Sequence, residues 1–360
     1  MIGSELIADA VVHPYNLAPE NQNRDTQAQL DSVYAAHLLS VDEAHAEYAL
    51  RQPEFFSDVS FDAIAHALFV ESDTDFALIH ALPNLGFARA HVTDPYRAGA
   101  YRDRHPDRFA LYATVDTHLT DRAIEELRDQ VENLAVDGLK LYPAFFYDGR
   151  AEGWRLDGDD FALPLLEAAH DMGIRRVAVH KALWLPPAPK EAFEVEDFSG
   201  ALERFPDIAF FMVHAGTAFR HQTAELLSRH PNLHATLEST FAFLLVQPDR
   251  FADTLGLLLA ACGSERLLYG SGANLMHPRP LIEAFADYEL PDEVLERYEI
   301  AQLTAADRSA ILGGNLLRLH GRDLAALREA VSDDTFARAR ADGLAAPWSV
   351  LRSPEAVRVS

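Results

Sequence analysis

Short apolar runs recur along the chain at 6–13, 76–82, 109–115, 138–142, 176–180, 209–214, 232–238 and 267–271. Between most of them lie stretches with apolar residues three and four apart, as at 120–134, 160–172 and 222–229. The first pattern predicts buried strands and the second amphipathic helices. Strands alternating with helices form parallel sheets. Eight such units predict a closed (β/α)8 TIM barrel, an α/β fold that takes about 250 residues before insertions.

The 360 residues exceed that size, and the surplus has definite places. Residues 14–75 separate the first two strands and hold two helical patterns, near 26–49 and 60–71. Residues 182–199 follow the fifth strand and carry Pro186, Pro187 and Pro189. Both insertions leave from strand C-terminal ends, where barrel active sites lie, so both are expected to form lids or substrate walls. The predicted organisation is a barrel over 1–321 and a helical tail over 322–360.

Residues two apart in a strand share a face. Alternation therefore predicts that Asp9, Val11 and His13 face inward together, and likewise groups Gly138, Lys140 and Tyr142, Ala178 and His180, and Phe210, Met212 and His214. The seventh strand stands out. Leu233, Ala235 and Leu237 form one face and must meet helices, which turns Asn232, His234, Thr236 and Glu238 into the barrel. A carboxylate there is costly unless it is paired or bound to metal. His180, His214 and Glu238 thus form one candidate ligand set; two imidazoles and a carboxylate with open positions suit non-haem iron. Strands one and eight are neighbours in a closed barrel, so His13, Glu20 and Asn274 form a second, with Asn16 and His277 as further candidates. Lys140 is a candidate acid or hydrogen-bond donor, or a bridge if carbamylated. Each residue also has a structural reading: a strand-end histidine in a local hydrogen bond, Glu238 paired with Lys140 or Lys181, Glu20 merely solvated. His80, His118, His221, His234 and His320 are read as supporting or surface residues, and Asp9 as a buried hydrogen-bond anchor.

Charge narrows the partners. With 31 basic and 56 acidic side chains the net charge is −25, which disfavours nucleic acid and anionic membranes. One cysteine, Cys262, rules out a disulfide or a Cys-rich metal cluster within the chain. No signal-like stretch opens the sequence, so a reducing cytoplasm is the expected compartment. A small-molecule substrate is expected, and a homodimer is one assembly open to the chain.

Ile7-Ala8-Asp9, Gly138-Leu139-Lys140-Leu141-Tyr142-Pro143, Val179-His180, Val213-His214-Ala215-Gly216, Leu268-Tyr269-Gly270-Ser271 and the closing Ile311-Leu312-Gly313-Gly314-Asn315 resemble the amidohydrolase superfamily, in particular its amidohydrolase-2 branch of decarboxylases and hydrolases. That resemblance implies a metal at the barrel mouth, a His-x-His on the first strand and an aspartate on the eighth. Here the first histidine is Val11 and the aspartate is Gly272. A narrower resemblance is to the TIM-barrel non-haem diiron monooxygenases of platensimycin- and platencin-type diterpenoid antibiotic biosynthesis. It implies two iron ions, dioxygen, an external reductant and a bulky apolar substrate, CoA-linked in some members. On this reading His180, His214 and Glu238 hold one iron and His13, Glu20 and Asn274 the other. Phe145, Phe146, Trp184, Phe241 and Phe243 would line the pocket, and Arg24, Lys190 and Arg279 would meet a CoA tail. The rival readings are a zinc- or manganese-dependent hydrolase or decarboxylase, in which Lys140 or His277 takes over from the lost aspartate, and a non-catalytic barrel.

Overall fold

The computed structural model describes residues 6–117, 120–147, 150–184 and 188–353. His118, Pro186, Pro187 and the side chains of Arg24 and Phe146 fall outside that description. Eight strands form one parallel sheet in the order β1 (Ala8–Val12), β2 (Phe76–His80), β3 (Phe109–Thr114), β4 (Gly138–Leu141), β7 (Arg176–His180), β8 (Ala209–Val213), β9 (Leu233–Thr236) and β10 (Leu267–Leu268). A separate antiparallel hairpin, β5 (Ala144–Tyr147) with β6 (Arg150–Gly153), rises beyond β4. The sequence pattern gave no sign of it.

The barrel closes between its first and last strands. Ala10 N donates to Tyr269 O at 3.0 Å, and Gly272 N donates to Val11 O at 2.8 Å. Inside, Ala8, Ala10, Phe76, Leu78, Ala110, Tyr112, Ala178, Phe211, Val213 and Leu268 form one apolar cluster contributed by six of the eight strands. The opposite faces, with Leu139, Leu141, Val177, Val179, Leu233, Ala235 and Leu237, pack on the helical layer. That layer includes helices Phe61–Phe69, Pro95–Arg104, Thr120–Asn133, Ala162–Asp171, Arg220–Arg229 and Pro248–Cys262. Local chemistry starts and stops them. Ser60 and Asp94 cap the first two by accepting from Ala63 N and Arg97 N. Pro248 opens the longest, and Gly263, at φ +68°, follows its end.

Simple alternation fails on two strands. In β8 the inward residues are Phe211 and Val213, whereas Phe210 and Met212 face helices. His214 still reaches the mouth because its φ of +65° turns the chain at the strand end. In β1 the register shifts between Asp9 and Val12, a bulge that brings Ala8, Ala10 and Val11 all into the interior cluster.

The insertion after β1 contains helices Gln27–Leu39 and Phe61–Phe69, close to the predicted patterns. Beyond 321, helices Leu324–Val331 and Thr335–Ala339 lead to Trp348, which is 1 % exposed and donates its indole N–H to Tyr48 O at 2.7 Å. The tail is thereby tied to the first insertion. No helix among the described residues is long and apolar enough to cross a membrane.

Candidate active site

Four neighbouring strands end in a left-handed residue: Ala182 after β7, His214 after β8, Ser239 after β9 and Gly272 after β10. For residues other than glycine this conformation costs about 1–2 kcal/mol. Such turns let His180, His214 and Glu238 meet at the mouth, all nearly buried.

The hydrogen bonds fix most of the protons. His180 Nε2 lies 3.1 Å from Leu183 O, so it must donate, which leaves Nδ1 as an acceptor. That Nδ1 lies 2.9 Å from His214 Nε2, so His214 donates there. The other His214 nitrogen, Nδ1, forms an ion pair with Glu238 Oε2 and lies 3.1 Å from Ser239 Oγ. One proton must therefore sit between His214 Nδ1 and Glu238. Burial by itself would raise the Glu238 carboxyl, but the His214 charge and hydrogen bond hold it below the usual range. His13 Nδ1 donates to His80 O at 3.0 Å, leaving its Nε2 lone pair free to act as a ligand. Burial, followed by the Lys140 charge, lowers the His13 pKa to about 3.

Glu238 occupies the space above Gly272. A Cβ added at Gly272 would fall 2.2 Å from Glu238 Oε1, and one at Gly270 would fall 3.2 Å from Glu238 Cβ. Glycine on the last strand thus makes room for a carboxylate arriving from the strand beside it. Below, Asp9 accepts from Val11 N at 3.0 Å, Ser271 N at 3.0 Å and Ser271 Oγ at 2.5 Å, as an anchor should. Burial nevertheless raises its pKa to about 7.

Lys140 is fully buried, and its Nζ has no hydrogen-bond partner. It lies 4.7 Å from the Tyr142 ring centroid, and burial lowers its pKa to about 7 against the pull of Glu238. A buried polar group left without a partner costs about 1–3 kcal/mol. The aromatic wall is equally local: Tyr142 stacks on His180 at 4.5 Å, Tyr15 stacks on His13 at 5.6 Å, and Phe193 meets His180 edge-on at 5.7 Å.

Other expected residues stand apart from this cluster. Glu20 is exposed on a turn, and no hydrogen bond or ion pair joins it to the histidines among the described residues. Asn274 is buried beside His13, but its Oδ1 already accepts from Tyr15 N at 3.0 Å while its Nδ2 is unpartnered. His277 pairs with Glu71 at 3.0 Å, and its Nδ1 accepts from Arg279 N. Glu71 also accepts from Trp348 N, Ser349 N and Ser349 Oγ, so His277 belongs to the clamp that holds the tail. Lys181 points away from the axis and pairs with Asp197 at 2.6 Å, anchoring the second insertion. Phe241 packs in the outer core on Tyr269 and Phe285 rather than lining a pocket. Sequence reasoning missed Tyr15, Phe193 and Ser239. A Ser directly after a buried Glu was the one available signal.

The donor chemistry fits a divalent metal: imidazoles from His13, His180 and His214 and a carboxylate from Glu238, all buried and adjacent. As the side chains stand, no three His, Cys, Asp or Glu among the described residues converge on one point. Instead they bond to one another, His180 to His214 and His214 to Glu238.

The amidohydrolase family profile matches residues 18–322. No curated protein matches the sequence. Among solved structures, the chain is similar to an uncharacterised TIM-barrel protein from Bordetella bronchiseptica, with 17 % identity, a TM-score of 0.61, and coverage of 88 % of this chain and 99 % of that one. It is also similar to a 2,6-dihydroxybenzoate decarboxylase from Rhizobium, with 16 % identity, a TM-score of 0.52, and coverage of 88 % and 99 %. A third is a dihydroxybenzoic acid decarboxylase from a Polaromonas species with bound manganese and 2-nitroresorcinol, with 13 % identity, a TM-score of 0.55, and coverage of 88 % and 97 %. These findings correct the oxygenase expectation. Several of the similar structures are named as decarboxylases, and the metal named with one of these is manganese, not a pair of irons serving dioxygen. With the profile spanning most of the sequence and the barrel built as that family requires, the chain belongs to the amidohydrolase family.

Proposed function

We propose that the chain is a metal-dependent decarboxylase of small aromatic acids, acting at the barrel mouth. The observation that carries this reading is a buried, unpaired lysine beside imidazoles that are themselves stacked against Tyr142 and Tyr15. Flat aromatic walls suit a flat ring, and a buried amine hydrogen-bonded to no carboxylate suits an acidic substrate. The barrel similarity to dihydroxybenzoate decarboxylases supports the same chemistry.

His13, His180, His214 and Glu238 would hold one divalent ion, with manganese the first candidate. When bound, the ion polarises substrate oxygens as a Lewis acid. The chain's own residues supply the rest. Decarboxylation breaks the bond between the ring carbon and the carboxylate, and that carbon must gain a proton. Lys140 Nζ, with its pKa near neutrality, carries a proton and can give it up. Tyr15 and Tyr142 hold the imidazole planes. Val11 and Gly270 keep the floor apolar, which favours departure of neutral CO2. Hydrolysis would instead need a base to take a proton from water, and the Gly272 position offers none.

The test is direct. Metal-free protein is loaded with manganese and offered 2,6-dihydroxybenzoate and 5-carboxyvanillate, and released CO2 is followed. Manganese-dependent release supports the reading. Hydrolysis of amide or lactone substrates without any decarboxylation would overturn it.

A further inference from the structure

His80 ends β2 with its ring inside the barrel and is 1 % exposed. Its ring stacks on Tyr112, with centroids 5.1 Å apart and planes 11° from parallel, and meets His13 edge-on at 5.7 Å. Neither ring nitrogen has a hydrogen-bond partner, and among the described residues no other histidine leaves both nitrogens buried and unpaired. Other buried histidines are served: His37 by Leu275 O and Leu50 N, His277 by Glu71, His320 by Tyr112 and Leu316 O. A fully buried donor and acceptor with nothing to bind calls for an occupant.

Register locates that occupant. His80 pairs with Tyr112 across β2 and β3, while Lys140 pairs with Thr114 across β3 and β4. Lys140 therefore stands one inward layer nearer the mouth than His80. Its Nζ is also unpartnered, so the two groups do not bond to each other. Both are donors, both lie inside the barrel, and no carboxylate is hydrogen-bonded to either among the described residues.

We propose that His80 is a substrate-binding residue whose ring N–H donates to a carboxylate seated between it and Lys140, so that the barrel selects an acidic ligand. This rests on the reading of the site as one for aromatic acids, and it adds the group that recognises the acid. Stacking on Tyr112 fixes the plane of the imidazole, so the donor direction is set before the ligand arrives. His13, whose Nδ1–H is held by the His80 carbonyl, is oriented by the same residue. His80 thereby links the acid-binding floor to the imidazole cluster above it.

The experiment titrates benzoate and phenol, as probes with and without a carboxylate, into the manganese-loaded full chain by calorimetry. His80→Phe keeps the stack on Tyr112 and removes both nitrogens; His80→Gln keeps a donor. Benzoate affinity is expected to fall at least about tenfold in His80→Phe, the worth of one charge-assisted hydrogen bond. Phenol affinity should be unchanged, and His80→Gln should retain part of the benzoate affinity. Unchanged benzoate binding in His80→Phe overturns the proposal, as does an equal loss for both probes or no benzoate binding by the wild type. If His80→Phe fails to fold, the benzoate-to-phenol ratio in His80→Gln decides, with an unaltered ratio counting against the proposal. Benzoate binding through His80 without turnover of any hydroxybenzoate would sink the decarboxylase reading alone; turnover with His80-independent binding would sink this inference alone.

Discussion

Two buried polar regions of this protein contain the same kinds of residue and differ in how completely they are satisfied. In the tail clamp, Glu71 accepts from His277, Trp348 N, Ser349 N and Ser349 Oγ, and each His277 nitrogen has a partner. At the barrel mouth, Lys140 Nζ, both His80 nitrogens and Asn274 Nδ2 have none. Burial alone does not separate them, since His277 and Lys140 are equally hidden. Satisfaction does. A saturated network has its binding done and serves stability, whereas an unsaturated one keeps binding capacity for a ligand.

The largest expected effect lies at the mouth. Lys140→Met should lower decarboxylation by about a hundredfold to ten-thousandfold, the usual worth of a positioned acid. Thermal stability should hold or rise, because an unpaired buried amine is removed. Steady-state kinetics and a melting curve on the same preparation check both halves. A collapse in stability would show Lys140 to be structural after all.

The clamp should behave in the opposite way. Glu71→Ala leaves His277 Nε2 and three donors without a partner and should destabilise the fold by about 3–5 kcal/mol. Turnover per folded molecule should change little. Urea unfolding with activity measured below the transition separates these effects, and loss of activity without loss of stability would erase the contrast between the regions.

Gly272→Ala probes the join between strands. The new methyl group would meet Glu238 Oε1, in a backbone conformation at φ +66° that disfavours alanine. Manganese content and turnover should both fall, with a stability cost of about 1–3 kcal/mol. Adding Glu238→Ala should relieve the part of the stability cost that comes from the clash but not restore turnover; additive stability losses would argue that Glu238 does not fill that space.

The smallest effect concerns pH. Asp9 has a folded pKa raised to about 7, from an ordinary 3.8. Between those values the folded state retains a proton that the unfolded chain has lost, so this group's contribution to stability declines as pH rises from about 4 to about 7. Below that window the contribution is fully present and no longer changes with pH. Asp9→Asn should flatten the decline in denaturant midpoint across it, and an unchanged slope would remove Asp9 as the source.

The sequence spelled out the barrel because strand and helix periods alternate so regularly, and it spelled out His180, His214 and Glu238 as neighbours because they end consecutive strands. It misplaced Phe210 and Met212 because alternation assumes an unbroken pleat, while His214 turns through a left-handed residue. It gave Glu20 and His277 possible roles because composition cannot tell an exposed loop or a filled clamp from an open site. His80 was read as a supporting residue for the same reason: the lack of partners is visible only in three dimensions.

The most direct measurement of the central claim is manganese binding alongside CO2 release from a hydroxybenzoate, in wild type and Glu238→Ala. The account predicts one manganese per chain and metal-dependent release in the wild type, with both lost in the variant. Full metal content and undiminished release in Glu238→Ala would contradict it.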